Sequence, residues 1–387
     1  MSTVRFLQFS DLCLGGEPDD RELRLTAAAA AKRREEERSV VERLVAVARE
    51  EEVDLVLIPG DLLDGDLVRR EDIAFLMEQL GTLAPVPVIV APGRGDRATS
   101  TSPYRREFLQ ACRDPEWPSN VHLLGLDGPE IVKLSRATVG VLPVYGVHYD
   151  WKPALADPDV DILLVPALDE AAELPRQELA ALGFDYCALG GFRQRVEMRL
   201  PSPVVFEGTL LGAASGSPFA RRAADRGERV ALVGELSKVD GASSVHLRPV
   251  RIDARKLVWI ELEVSEVPSG EELLRRVREA IHTSGAADED LVEVRVRGTL
   301  HPDARMDHPD LEHPEKLFHC RVDLSGLLPA YPLDELAASP TSLGRFVSKL
   351  LARAQAVSDP EESLALRNAI FYGLDAMRGG ELRRRYE

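Results

Sequence analysis

The sequence lacks most features that mark secreted, membrane-spanning or zinc-binding proteins. Only four of its 387 residues are cysteine, without a C-x-x-C pair, so we expect free thiols and no structural zinc site. No apolar run approaches 18 residues, and the start MSTVRFLQFSDL is typical of a strand and not of a signal peptide. These absences favour a cytoplasmic protein with no membrane partner.

Histidine is also scarce, and acidic residues outnumber basic ones by 65 to 48. The first histidine of the chain is His122, so the first 121 residues contain no imidazole that could bind a metal or act as a base. The formal net charge of −17 opposes free-standing nucleic-acid binding, which requires a basic surface. The stretch FARRAADRGER (219–229) is the best candidate for a local basic patch, although we favour a solvated loop there.

What the sequence does contain is a regular alternation of strands and helices over residues 1–255. Apolar strands begin near residues 4, 53, 86, 160 and 184, and helices are predicted near 26–52, 70–81 and 175–182. Each strand ends in an acidic or glycine-rich loop, and such loops carry the sites of α/β folds. From about residue 203, short strands and polar turns close this domain.

Two smaller segments follow the first domain. Residues 256–325 predict a small α+β module, in which Ser269 is the N-cap of a helix over 269–284. Residues 326–387 predict a helical tail with amphipathic helices at 339–357 and 359–386.

Five motifs in order carry a resemblance to a known family. They are DLCLG (11–15), GDLLD (60–64), GRGD (93–96), ILLVP (162–166) and DYCALGGFR (185–193). Their order and spacing resemble those of the calcineurin-like metallophosphoesterases, and more fully those of the SbcD-type DNA repair exonuclease branch. The resemblance implies an α/β fold: a four-layer sandwich of two β-sheets flanked by helices, with a small α+β capping domain and a helical C-terminal tail.

The chemistry of that family uses two metal ions held by Asp, His and Asn, with a further His as acid. When the family's eight functional positions are matched to this sequence, only Asp11 and Asp61 have the residue that the family has. Proline and glycine offer no side-chain ligand, and a guanidinium repels a cation. We therefore expect no cofactor; an active protein would use Mn²⁺ or Mg²⁺. The positions where the family has a ligand or acid and this chain does not are Cys13, Arg94, Gly95, Pro166, Gly191 and Arg193.

The remaining polar residues each allow two interpretations. Asp11 and Asp61 could hold one weakly bound metal ion, but we favour ion pairs with Arg94 and Arg193, which could alternatively bind a phosphate. Cys13 could be a thiolate, but we favour a half-buried thiol, because no histidine lies nearby in sequence.

Histidines later in the chain and two further aspartates also allow two interpretations. His148 could replace a lost base, but we favour a structural role. Zinc binding by the histidines of 301–319 is conceivable, although their spacing favours a polar loop. Asp64 and Asp96 are expected to hydrogen-bond the loops. The histidines of 301–319 are His301, His308, His313 and His319.

One face of the helix predicted at 339–357 is apolar at the spacing of groove-binding helices. The resemblance implies docking of this tail on an SMC-like coiled-coil ATPase of the SbcC type; packing on the capping module is the alternative. The apolar face consists of Leu343, Phe346, Val347, Leu350 and Leu351.

These observations leave three functional hypotheses. The first, which we favour, is a catalytically degenerate SbcD-like subunit that acts as scaffold or regulator of a DNA repair complex with such an ATPase. The second is an active metal-dependent DNA exonuclease or phosphodiesterase with an altered metal site. The third is a stand-alone phosphate or nucleic-acid binding module. DNA would be reached through the complex, and a homodimer is compatible with all three.

Overall fold

The computed structural model describes residues 2–16, 23–144, 151–155, 159–168, 175–200, 209–302, 304, 310 and 314–377. The chain divides into two compact units, Met1–Leu257 and Val258–Glu387. None of the described helices combines the length and the apolarity that crossing a membrane requires.

The first unit contains two six-stranded sheets and four described helices. Its helices are α1 (Ala27–Glu50), α2 (Arg70–Gly81), α3 (Arg106–Cys112) and α4 (Arg176–Ala181). Its strands are β1 (Ser2–Gln8), β2 (Leu55–Pro59), β3 (Val88–Ala91), β4 (Val121–Leu123), β5 (Glu130–Lys133), β6 (Ala137–Val141), β7 (Val160–Val165), β8 (Tyr186–Leu189), β9 (Val196–Leu200), β10 (Thr209–Ala214), β11 (Val230–Val239) and β12 (Ala242–Arg251).

The strand order is β12-β11-β1-β2-β3-β4 in the first sheet and β5-β6-β7-β8-β10-β9 in the second. Strands β1 to β4 are parallel neighbours, and β11 pairs with β1 antiparallel. In the second sheet, β6, β7, β8 and β10 are parallel neighbours. Because parallel strands end at one edge, the loops after β1, β2 and β3 lie side by side.

Alternation along β1 assigns its side chains to two different cores. Phe6 points toward the second sheet, where its ring centroid lies 5.2 Å from that of Tyr186. Leu7 points the other way, into a core that includes Val40 and Leu44 of α1. A third core packs the outer face of the second sheet against Leu179 of α4. The layers are α1 on the first sheet, the two sheets packed face to face, and α4 on the second sheet. This arrangement confirms the predicted four-layer α/β sandwich.

The second unit combines a three-stranded sheet with helices. Ser269 Oγ accepts the N–H of Glu272 at 3.2 Å, so the predicted N-cap is confirmed. The elements are β13 (Leu257–Val267), α5 (Gly270–Thr283), β14 (Leu291–Leu300), β15 (His319–Pro329), α6 (Leu333–Ala338), α7 (Ser342–Ala356) and α8 (Pro360–Met377). The sheet order is β13-β14-β15, with β14 and β15 parallel.

Candidate functional site

The loops that follow β1 and β2 are joined by backbone hydrogen bonds beyond the ends of their strands. The N–H of Asp11 donates to Gly60 O at 3.1 Å, and the N–H of Cys13 donates to Asp61 O at 2.8 Å. The third loop joins them, since the N–H of Gly65 donates to Gly95 O at 3.1 Å. Residues of the first three motifs therefore form one continuous surface at the edge of the first sheet.

Asp11 and Asp61 both have left-handed backbone conformations, with φ of 57° and 50°. This conformation is unfavourable for most residues but is tolerated by aspartate, so the loops are shaped in a way that few other side chains allow. In this conformation, each carboxylate accepts a backbone amide from a motif that comes later in the sequence. The N–H of Gly191 donates to Asp11 Oδ2 at 3.2 Å, and that of Gly95 donates to Asp61 Oδ1 at 2.5 Å.

The two carboxyl groups are harder to ionise than ordinary aspartates. Burial raises the pKa of Asp11 to about 8, and the neighbouring charge of Asp61 adds to the effect. Burial and the charge of Asp96 raise the pKa of Asp61 to about 6, while the positive charge of Arg94 acts in the opposite direction. The pair therefore titrates in the neutral range instead of near pH 4.

Asp96 and Asp64 stabilise the shape of the loops, as the sequence predicts. Asp96 is buried and accepts the N–H of Gly93 at 2.6 Å, the N–H of Leu63 at 3.1 Å and the hydroxyl of Tyr104 at 2.6 Å. Asp64 Oδ1 accepts the N–H groups of residues 66 and 67 at 3.2 and 3.1 Å. Both carboxylates are used within the loops themselves.

The two arginines of the motif loops have different partners. Arg94 is exposed, and its Nη2 donates to Ala167 O at 3.2 Å. Arg193 Nη1 lies 3.7 Å from Asp225 Oδ1. The ion pair of Arg193 is thus with Asp225, whereas Asp11 receives the amide of Gly191; the expected pairing of Asp11 with Arg193 is not what the described residues show.

A buried arginine–carboxylate pair next to the first loop was not predicted from the sequence. Arg221 forms an ion pair with Glu37 of α1, and both carboxylate oxygens of Glu37 accept the N–H of Gly15 at 3.2 Å. The guanidinium also lies 4.7 Å from the ring centroid of Phe219. Among the described residues, its Nε and Nη1 have no hydrogen-bond partner.

The expectation of a solvated loop at 219–229 is therefore wrong for part of that stretch. Phe219, Arg221 and Asp225 are buried, and Arg33 of α1 lies 3.9 Å from the ring centroid of Phe219. Arg221 can be buried because the carboxylate of Glu37 compensates its charge. Glu37 lies 184 positions away in the chain, so the stretch 219–229 gives no sign of it. An arginine-rich stretch does not reveal from its own composition that such partners exist.

Cys13 behaves as the half-buried thiol that the sequence favours. Burial raises the pKa of its thiol to about 12, and the positive charge of Arg221 opposes this only in part. A thiol with that pKa is protonated at neutral pH and is a poor nucleophile. All four cysteines are free thiols, as predicted.

The histidines named as candidate ligands or bases belong to the second unit or fall outside the described residues. His319 begins β15 and is buried, while His301 follows β14 and is exposed. His148, His308 and His313 fall outside the described residues, so the alternatives for them remain predictions. Across the described part of the chain, no three His, Cys, Asp or Glu side chains are grouped to hold a metal ion.

A two-metal centre is a poor fit to the side chains at the loops. Gly95 and Gly191 contribute backbone N–H donors to the two carboxylates, and an N–H that points at a carboxylate oxygen competes with a cation there. Gly191 has φ of 87°, and a side chain at this position would collide with the carbonyl oxygen of Leu168. Arg94 adds a positive charge, and Pro166 has no donor atom. The described residues of these loops do not fit a pair of metal ions.

The apolar face predicted on the tail helix is engaged within the tail. Val347 of α7 is buried together with Ile370, Phe371 and Leu374 of α8, and Tyr331 completes the cluster. The other predicted residues of this face are partly buried against the same cluster; they are Leu343, Phe346, Leu350 and Leu351. Helices α7 and α8 therefore form a hairpin with its own apolar core.

Comparison with known families identifies a domain in the first unit. Residues 4–165 match the family model described as calcineurin-like phosphoesterase. The match includes the first three motifs and stops before the last one, so it identifies a calcineurin-like phosphoesterase domain and not the whole chain. A search of curated proteins finds no match.

Solved structures give a weaker likeness. The protein TT1561 of Thermus thermophilus is 11% identical, with a TM-score of 0.35, and the alignment covers 65% of this chain and 100% of that protein. A dimetal phosphatase from Danio rerio is 9% identical, with a TM-score of 0.37 and the same two coverages. The phosphoesterase YfcE from E. coli is 12% identical, with a TM-score of 0.27, and the alignment covers 64% of this chain and 99% of that protein.

Proposed function

We propose that this chain, with a calcineurin-like phosphoesterase domain at residues 4–165, is a catalytically degenerate SbcD-like protein that acts in assembly instead of hydrolysis. Its role would be that of scaffold or regulatory subunit in a DNA-processing complex with an SMC-like coiled-coil ATPase. One observation carries the proposal. The carboxylates of Asp61 and Asp11 accept the backbone amides of Gly95 and Gly191, at positions where the resembled family has functional side chains.

Loss of hydrolysis follows from the charges at the loops. Two-metal hydrolysis requires ligands that neutralise two cations and a base that activates water. Among the described side chains at the loops, Asp11 and Asp61 are the two retained carboxylates, and their oxygens accept backbone amides. Arg94 adds a positive charge near Asp61, which opposes a cation there. This set of side chains is poorly suited to hold two metal ions.

An assembly role is supported by the tail. The α7–α8 hairpin has its own apolar core, so it can act as one docking element. Arg345 and Lys349 are exposed and four residues apart on α7, and Arg353, one turn further on, lies 3.8 Å from Glu362 of α8. Arg345 and Lys349 form a short basic stripe in a chain of net charge −17. Such a stripe suits an acidic helical surface on the partner.

Copurification tests the assembly proposal. The full chain would be coexpressed with a candidate SMC-like coiled-coil ATPase from its own organism, and complex formation would be measured by size-exclusion chromatography. We expect a complex that is lost on deletion of 339–387 and weakened by the double substitution R345E/K349E. R34E, at the exposed Arg34 of α1, is the matched control and should leave the complex intact. Absence of a complex with the intact chain would overturn the proposal.

The same preparation separates a degenerate protein from an active nuclease. Manganese binding would be measured by calorimetry, and cleavage of linear duplex DNA would be followed with and without Mn²⁺. We expect neither stoichiometric binding nor cleavage. Stoichiometric Mn²⁺ together with cleavage abolished by Asp61→Ala, but not by the exposed Asp66→Asn, would establish the active alternative.

A further inference from the structure

A groove of about 600 Å³ runs along strand β13 in the second unit. Residues 259–262 of β13 form one wall, and one flank of helix α5 forms the other. Arg276, Ala280 and Thr283 line that flank at the spacing of successive helical turns. A groove between a strand and a helix is suited to hold an extended peptide, which is added to the sheet as a further strand.

Strand β13 lies at one end of the sheet order β13-β14-β15 in the described part of the chain. The outer side of such an edge strand presents backbone N–H and C=O groups to which another strand can pair. Leu257, at the start of β13, is bridged to Gly227, so the stretch available to a partner begins after that residue. Residues 258–263 are all half-buried or exposed. The edge is therefore accessible along the groove.

The side chains of β13 alternate between two faces of the sheet. Ile260 and Leu262 pack against the apolar core that the sheet shares with α5. Trp259, Glu261 and Glu263 alternate with them and therefore lie on the opposite face. The indole Nε1 of Trp259 donates to Glu261 Oε1 at 3.4 Å, which places both side chains together there. A strand added to this edge would have one face toward α5 and the other beside the two glutamates.

The charges of the groove differ between its two walls. On the helix, Arg276 Nε lies 2.9 Å from Glu272 Oε1, and Glu279 Oε2 lies 3.1 Å from Arg275 Nη1. The charged side chains of that wall are thus matched by oppositely charged neighbours within α5. The strand contributes the two exposed glutamates. The groove is therefore acidic on the side where a further strand would pair.

A second copy of this chain is a poor partner for the edge. An antiparallel pair of β13 strands centred on residue 262 would place Glu261 of each copy opposite Glu263 of the other. Centring the pair on residue 261 or 263 would place one of these glutamates opposite itself. Like charges directly opposite one another on neighbouring strands are destabilising. The two glutamates therefore oppose self-association and favour a strand with basic side chains.

We infer that an extended segment of another protein, in which basic and apolar residues alternate, pairs with β13 as an additional strand of this sheet. Its basic side chains lie beside Glu261 and Glu263, because opposite charges on neighbouring strands stabilise the pairing. Its apolar side chains lie on the other face, toward Ala280 and the methyl group of Thr283. The inference does not depend on the proposed assembly role, because it uses β13 and α5 and not the α7–α8 hairpin.

A fluorescently labelled peptide of about eight residues, TKVKIKVT, tests the inference on the full chain by fluorescence anisotropy. We expect saturable binding, and binding of the acidic peptide TEVEIEVT that is weaker by about tenfold or more. The N–H groups of alternate residues in a strand point to the same edge. Methylation of the backbone nitrogens of either the lysines or the apolar residues therefore blocks one edge of the peptide. One of these two methylated peptides should lose binding although its charge is unchanged.

A charge reversal tests whether the glutamates of β13 select the peptide. The double variant E261K/E263K should bind TKVKIKVT about tenfold more weakly and should bind TEVEIEVT more tightly than the wild type does. The control E42K/E78K changes the net charge by the same amount at exposed positions of α1 and α2, and should alter neither affinity. Binding of the acidic peptide by E261K/E263K also shows that this variant is folded.

Several results would overturn the inference. They are the absence of saturable binding of TKVKIKVT, equal binding of both methylated peptides and the unmethylated one, and equal effects of E261K/E263K and E42K/E78K. Analytical ultracentrifugation tests the alternative occupant. A wild-type dimer that becomes tighter in the single variant Glu261→Lys, where the new lysine would face Glu263 of the other copy, would assign the edge to a second copy and would also overturn the inference.

Discussion

Two sets of carboxylates in the first unit compare directly. Asp253 is buried and accepts Arg33 Nη1 and Nη2 at 3.0 and 2.7 Å. Asp11 and Asp61, at the loops, instead receive backbone amides, and their pKa values are raised. A guanidinium compensates the charge of the first carboxylate, whereas burial makes the second set harder to ionise. The difference shows that the loops persist without a full set of counter-charges at the site.

Glu37 lies between these two cases. It has an arginine partner, Arg221, but two nitrogens of that guanidinium lack hydrogen-bond partners among the described residues. The pKa of Glu37 is raised by burial, and the positive charge of Arg221 opposes the rise. Substitutions in these three environments should therefore have graded effects on stability.

Removal of Arg33 should cause the largest loss of stability. Arg33→Met leaves Asp253 buried without its bidentate partner and also removes the hydrogen bonds to Glu36 and to Ala220 O. Breaking such a pair costs about 3–5 kcal/mol of the free energy of unfolding. Urea denaturation measures it, with the exposed neighbour Arg34→Met as control. A loss no larger than that of Arg34→Met would contradict the ranking.

Removal of Arg221 should cost less. Arg221→Met deletes one pair with Glu37 but also removes a guanidinium with two unpaired nitrogens, so we expect a loss of about 2 kcal/mol. Adding Glu37→Gln should restore most of the stability, because the unpaired carboxylate is then gone. Urea denaturation of both single variants and the double variant gives the coupling energy. Strictly additive losses would show that the pair is not a unit.

Asp11 should make stability depend on pH in an unusual direction. Its pKa is about 8 in the folded chain and near 3.8 when unfolded, so the folded state binds more protons between these values. Stability from this group is thus present at low pH and is lost as pH rises toward 8. Asp11→Asn should stabilise the protein by several kcal/mol at pH 8.5, because the pKa of Asp11 differs by about 4 between the folded and the unfolded chain, and by clearly less at pH 5. Thermal unfolding at both pH values measures this; equal effects at both would contradict it.

Metal ions should have the smallest effect on stability. A ligand present at about 100 times its dissociation constant stabilises a protein by about 2.7 kcal/mol. Because the loops do not fit two metal ions, we expect millimolar Mn²⁺ or a chelator to leave the melting temperature unchanged. A rise with Mn²⁺ that disappears in Asp61→Ala would show that the two carboxylates bind metal after all.

Much of the fold could be predicted because its signals are local in the sequence. Alternating apolar strands and helices predict the sandwich, and Asp64 and Asp96 make the loop hydrogen bonds expected of them. The site was harder to predict. Arg221 and Glu37 lie far apart in the chain, and the apolar side of the tail helix packs on α8, whereas the sequence left a partner or the capping module as its neighbour.

The sequence by itself determined which chemical groups are absent from the motif loops. The absence of histidine before His122, and glycine or proline at three ligand or acid positions, can be established from the printed residues alone, because a side chain that does not exist can neither bind a metal nor donate a proton. Only the tertiary structure decided what replaced them. It brought the amides of Gly95 and Gly191 to the carboxylates and Arg221 to Glu37, since contacts between distant residues depend on how the strands and helices pack.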